Sequence, residues 1–476
     1  MMAGTIRSRA KKCFLAVITL MLVLGLCAAG GSLGCGGGDP VVVIPDAGLQ
    51  AAIREALNKP QGDIYASELA WLKELDAASR GIQDLQGIEY CTNLEALGLW
   101  DNQILDISPL AKLTSLTWLT LTENQISDLS PLADLTKLTQ LSLAANQITD
   151  ISPLANLTSL TWLGLESNQI TDIFPLANLT SLTVLGLWAN EISNIFPLIN
   201  LASLEVLSLG QNQISNIAPL ANLTSLATLS LGTNQISNIS PLANLASLTG
   251  LGLGENQISD LSSLANLTSL TALSLGTNQI SDLSPLANLT SLTTLSLEEN
   301  QISNISPLAN LTNLTTLWLE ENQISDISAL ASLTGLTELG LGRNQVSDVS
   351  YLSSVGNLKR LTLDHNQITD ISSLSNLTNL TVIWLDNNNI TDVSPLSGLT
   401  RIGEVEQDWW LDQREGVAIS LGLRDNQIAA IEALVGNVGL SEGDGIDLRG
   451  NPLSSDSLNT YLPQLEERGV NVLYDT

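Results

Sequence analysis

Leucine and isoleucine recur along this chain in a fixed frame, and the frame returns every 22 residues. In the copy around Asn124 the apolar positions are Leu113, Leu116, Leu119, Leu121, Ile126, Leu129 and Leu132. Leu119 and Leu121 alternate with Trp118, Thr120 and Thr122, the period of a strand with one buried face. The Asn that follows stands at Asn102, Asn124, Asn146 and onward to Asn388, fourteen copies without an insertion or deletion. A unit this small cannot bury its own apolar face, so the copies must stack. Stacking predicts one parallel sheet, with the Leu119 and Leu121 type inward and their alternates outward. Each Asn falls in the turn leaving its strand. There its amide can both donate to and accept from backbone groups, so a ladder of asparagines is expected.

The far side of each coil has its own pattern. Ser130-Pro131-Leu132 recurs as Ser108-Pro109, Ser152-Pro153, Ser240-Pro241, Ser284-Pro285, Ser306-Pro307 and Ser394-Pro395. Ser followed by Pro suits a helix N-cap and first helical position, and the segment is long enough only for a helical or 3₁₀ turn. Two residues before the Ser position stands Asp in ten copies and Asn in four. That exchange fits a turn-forming side chain and not a metal ligand, which would need the charge.

The phrase L-T-S-L-T-x-L-x-L-x-x-N-Q-I-S-D-I-S-P-L-A-N resembles the bacterial 22-residue leucine-rich repeats, the class of the internalin-type surface proteins. The resemblance covers roughly residues 72 to 453. It implies an α/β, right-handed solenoid, an arc or horseshoe with the parallel sheet concave and the short turns convex. It also implies a binding role without naming a ligand.

The ends depart from the repeat. Arg7, Arg9, Lys11 and Lys12 precede an apolar run from Phe14 to Leu26, which reads as an export signal. The Gly34-Cys35 junction, followed by Gly-rich residues 36–40, is similar to a lipoprotein processing site, with Ser32 where such sites usually have Leu. Lipidation at Cys35 is the leading expectation; processing at Cys27, plain secretion or an uncleaved anchor are the alternatives. The domain reading is a signal over 1–35, a tether over 36–40, a helical cap over 41–75 and repeats over 76–399. An insertion over 400–420 and irregular last repeats with a closing cap over 421–476 complete it. In the cap, Leu49, Ala52, Ile53, Ala56 and Leu57 predict one helix. A second is expected from Ser67 through Leu69, Leu72 and Leu75, while Leu75, Ala77, Ile82, Leu85 and Ile88 also fall on the repeat frame, with Arg80 in place of the Asn. Cys91, in a frame position, is expected to replace a buried Leu.

The net charge of −30 excludes nucleic acid, since phosphate recognition needs clustered Lys and Arg. It keeps a large surface soluble and favours cationic partners. No catalytic constellation, metal cluster or cofactor motif is visible, and a monomer is favoured. The acidic residues Glu298, Glu320, Asp364 and Asp386 share one outward row.

The informative positions vary while the frame stays constant. Most coils carry Ser, Gly, Thr or Ala on the outward strand positions. The exceptions are Trp100, Trp118, Trp162, Trp188, Trp318 and Trp384, which include every Trp of the regular repeats. Exposed aromatic groups mark contact surfaces, although Trp packed across bare glycines is the plain alternative. The expectation is a concave ligand-binding face built from these six Trp with Glu298, Glu320, Asp364 and Asp386. A protein is the expected ligand, a glycan the rival, and a structural spacer without a ligand the third reading. Trp409 and Trp410, in the insertion, are candidates for a protruding contact loop. Phe174 and Phe196, which replace the turn Ser in adjacent copies, form either a convex apolar patch or local packing.

Overall fold

A computed structural model describes residues 39–404, 412–414 and 416–475. The chain divides into two units, Met1–Val41 and Val42–Thr476, and the second carries the repeats. Cys35, Trp409 and Trp410 lie outside the described residues.

Each coil contributes one short strand, three residues long except for the two-residue Leu421–Gly422, to a parallel sheet of eighteen strands. The register is a constant offset of 22: Leu97 lies beside Leu119, Leu119 beside Leu141, Leu229 beside Leu251. The inward leucines are almost completely buried and form one continuous core through all coils.

The asparagine ladder locks neighbouring coils together. Asn124 Nδ2 donates to Leu121 O of its own coil (3.0 Å) and to Leu99 O of the preceding coil (2.9 Å). Its Oδ1 accepts from Ile104 N–H of that preceding coil at 3.0 Å. The pattern repeats through Asn388 and continues in Asn426 and Asn451. An Asn amide supplies both a donor and an acceptor here, so buried backbone groups are satisfied in two coils at once.

On the convex side the turns are short 3₁₀ segments such as Ser130–Leu132 and Ser152–Asn156. The Ser does not cap them as its sequence position suggested. Asp128 accepts from the Ser130 N–H (2.8 Å) and hydroxyl (2.9 Å), and the Ser is the first residue of the turn. Where Asn stands instead, as in Asn238, it accepts the N–H of Ser240 at 2.9 Å. The Asp/Asn row is thus a row of turn formers.

The residue before each ladder Asn is left-handed, and none in the regular coils is Gly. Thr233 and Thr277 adopt this conformation with φ of 56° and 55°, where a β-branched side chain is strained. Thr277→Gly is therefore expected to stabilise the array by about 0.5–1 kcal/mol, relief of strain exceeding the gain in unfolded-chain entropy. Denaturant midpoints of the two chains check this.

The first cap helix, Ala47–Ala56, has Asp46 as its N-cap, accepting from Leu49 N–H at 3.0 Å. The other Asp46 oxygen accepts from Gln83 N–H at 2.9 Å, which pins the cap to the first coil. The second helix is shorter than expected, Ala66–Leu69. Leu75 is already in the first strand, Glu74–Asp76, paired with Leu97. Sheet pairing has overridden the helical spacing. Cys91 is fully buried, and desolvation, with repulsion from Glu89, pushes its thiol up to about 12. Two helical segments, Ser457–Tyr461 and Leu462–Glu467, precede the last strand, Asn471–Leu473.

Candidate functional site

The outward positions of each strand lie six, four and two residues before its ladder Asn. All six repeat Trp occupy them, and all six are half-buried rather than fully exposed. They do not form one aromatic cluster. Trp118 and Trp162 share a row with Gln140 between them. Trp100 and Trp188 stand in the row nearest the Asn ladder, four coils apart.

The second group is more tightly built. The Arg360 guanidinium sits 5.4 Å from the Trp318 ring centre and 5.2 Å from that of Trp384. Both distances suit cation–π attraction. Burial lowers the Arg360 pKa, opposed by the charges of Glu338 and Glu320. Trp384 also donates its Nε1–H to Ile419 O at 3.2 Å, which ties it to the irregular last coils. Arg360 is the centre of this arrangement and is not among the residues expected on this face from the sequence.

The carboxylates lie down across glycines. Glu320 covers Gly340 of the following coil so closely that a Cβ there would collide with it. Asp364 Oδ1 lies 2.5 Å from where a Gly342 Cβ would be, so Glu320 and Asp364 lean onto the same bare strand from either side. Thr362 donates its hydroxyl to Glu320 Oε1 at 3.1 Å. Desolvation is the main cause that raises the Glu320 carboxyl to about 7, with smaller repulsion from Glu298 and Asp364. Glu298 accepts from the Ser296 hydroxyl at 2.5 Å, and Asp364 pairs with His365 Nδ1 at 3.0 Å.

Asp386 does not stand open on this row, as its sequence position suggested. It is 2% exposed, covers Gly422 and accepts from Arg424 N–H at 2.7 Å. The last coils close over it.

One acid of the same kind escapes the sequence reading. Glu166 lies across Gly186 of the following coil, and a Cβ at Gly186 would collide with its Oε1. Burial raises its pKa, against one hydrogen bond from its own backbone N–H. A signal is present: an acid two before the Asn with Gly four before the next Asn occurs at Glu166/Gly186, Glu320/Gly340 and Asp386/Gly422. On the convex side Phe174 and Phe196 are 68% and 59% exposed, so they do not pack inward.

Stacked coils with a parallel inner sheet, an Asn ladder and 3₁₀ outer turns define a leucine-rich-repeat protein. The Leucine Rich repeats (2 copies) family matches residues 114–156, 158–200, 202–244, 246–288, 290–332, 312–354 and 356–398. An internalin (InlF) from Listeria monocytogenes is 40% identical over 75% of this chain and 94% of its own, with a TM-score of 0.55. The chain belongs to the leucine-rich-repeat family, and within it to the bacterial internalin-like proteins. A leucine-rich-repeat protein of Leptospira interrogans shares the fold at 24% identity, covering 85% of this chain and 97% of that one, TM-score 0.65. So does the Arabidopsis receptor kinase HAESA, solved with the peptide hormone IDA, at 20% identity, 80% and 74% coverage, TM-score 0.61. No curated protein matches the sequence.

Proposed function

We propose that this chain is a non-enzymatic binding protein of the bacterial envelope or cell surface that recognises a protein through the concave face of its repeats. Proteins of this family typically mediate protein binding. The observation that supports the reading here is the distribution of side chains on the sheet. A frame that is constant over fourteen coils varies chiefly at the outward positions, and every repeat Trp falls there, half-buried. HAESA's peptide hormone is in keeping with a polypeptide ligand. Among the described residues no helix is long and apolar enough to cross a membrane. Attachment is proposed to run through a lipid on Cys35.

The two aromatic groups make different demands. Trp384 carries a backbone hydrogen bond and one side of the Arg360 stack, so Trp384→Ala is expected to lose stability and is a poor probe of binding. Trp162 and Trp188 lie over glycines and serve better. Trp162→Ala and Trp188→Ala are each expected to weaken partner binding by about 2 kcal/mol, with little change in melting temperature. The test is capture from envelope and host extracts, run beside a glycan array. Variants that melt much lower yet bind unchanged would make these Trp packing residues. Hits confined to oligosaccharides would make the face a glycan site. For the anchor, Cys35→Ala is expected to move the chain from the detergent phase to the aqueous phase. A mature N-terminus upstream of Cys35 without lipid, found by mass spectrometry, would refute it.

A further inference from the structure

The concave face holds the same device at Glu166, Glu320 and Asp386: an acid two before the ladder Asn lies across a glycine of the following coil, with a Trp earlier on its own strand. The copy at Asp386 is closed under the last coils, and the other two differ in completion. At Glu320 the device is filled from within, because Arg360 lies between Trp318 and Trp384 and interacts with Glu320. At Glu166 it is not filled. The outward positions of every coil from Trp118 to Gly342 contain no Lys or Arg. Among the described residues, no hydrogen bond or ion pair from another residue reaches the Glu166 carboxylate.

The geometry around Glu166 leaves room for a visitor. Glu166 Oε2 and Trp162 Cη2 meet over Gly164, at 3.0 and 2.8 Å from the place a Cβ would take. On the other flank, Trp188 leans away over Gly210, its Cδ1 2.9 Å from the equivalent point. The carboxylate therefore lies on a floor of glycines with the Trp162 indole against it over Gly164, and Trp188 follows on the next coil.

We propose that Glu166, flanked by Trp162 and Trp188, is a receptor for a cationic side chain, an ammonium or guanidinium, presented by the protein partner. The proposal rests on the concave face being the recognition surface. The physical case is that a desolvated carboxylate without a counter-charge is costly, and a seated cation both neutralises it and gains the indole faces. Arg360 shows that this combination of groups accepts a guanidinium. Burial has raised the Glu166 pKa and a seated cation would lower it, so affinity should increase as pH rises through the raised value. The neighbouring outward positions, Gln140, Ser142, Ala144, Val184, Gly186 and Trp188, contain nothing else that titrates in this range.

The experiment uses the full chain with ¹⁵N-labelled indoles, assigned by single Trp→Phe variants. The probes are N-acetyl-arginine methylamide, its lysine counterpart and the neutral citrulline analogue. The expected result is that arginine and lysine probes shift the Trp162 and Trp188 signals, that citrulline does not, and that Glu166→Gln weakens the effect at least tenfold. Trp318 and Trp384 should stay in place, since their cation is already resident. Equal shifts with citrulline, no shift, or shifts unchanged in a folded Glu166→Gln chain would overturn the proposal. A captured partner that needs Trp162 but binds Glu166→Gln as well as the parent would also overturn it, while leaving the concave-face reading intact. Probes that seat at Glu166 although no protein binds the face would uphold the cation site and remove the wider reading.

Discussion

Leu231→Asp should break the array where it stands. Leu231 is fully buried, and its N–H is tied to Gly252 O of the next coil at 2.7 Å. Losing the side chain from a packed core costs about 3 kcal/mol. A carboxylate with no partner among Leu209, Leu253 and the other core leucines adds several kcal/mol more. In a stacked array each coil touches only its neighbours, so the damage should be local. Hydrogen exchange is expected to speed up in the coils around Asn234 while the N-terminal cap stays protected. The melt should separate into two steps. A variant that melts as the parent does would mean that the 22-residue register is wrong.

Glu320→Gln should act in the opposite sense, and only above mildly acidic pH. The folded carboxyl titrates at about 7 against 4.5 for the unfolded chain. Between those values the folded state binds more protons, so stability falls as pH rises and the penalty is complete above the folded value. The shift corresponds to about 3 kcal/mol. The amide loses attraction to Arg360, which trims the net gain to about 2 kcal/mol. The variant should therefore be the more stable chain at pH 8, with the advantage gone near pH 4.5. Denaturant unfolding across that range reads the difference directly. A constant difference at all pH values would show that Glu320 is not desolvated in the folded chain.

The repeat frame makes most of the fold legible. Strand register, buried leucines and the role of the asparagines all follow from one period, because each position meets the same environment in every coil. The convex turn is only half legible: Asp128 reads as a turn former, but the spacing assigns the cap to Ser130. Both residue types cap well, and only geometry decides which accepts. At Leu75 helix spacing and the repeat frame compete, and the frame, with its pairing to Leu97, wins. On the concave face the sequence locates the Trp but not their company. Arg360 reaches indoles on the coils of Asn322 and Asn388, one from a non-adjacent strand. Glu166 matters through a glycine on the next coil. Such relations run across coils, where a frame read within one copy does not look. Burial of Asp386 depends on the irregular last coils, whose path no period describes.

The Asn ladder has a consequence for how this surface can change over generations. Every junction between coils carries the same two hydrogen bonds of a ladder Asn, so a junction does not record which two coils it joins. Duplicating or deleting whole units of 22 residues leaves each surviving junction chemically complete. Length is thus free to drift at little energetic cost, in graduations of about 4.8 Å per strand. Glu166 and Glu320 are separated by seven such graduations, roughly 34 Å. Unequal recombination within the gene could lengthen or shorten that separation without redesigning either end. The span between the two indole groups is therefore a quantity selection can adjust stepwise, as on a ruler, while point mutation adjusts what each group accepts.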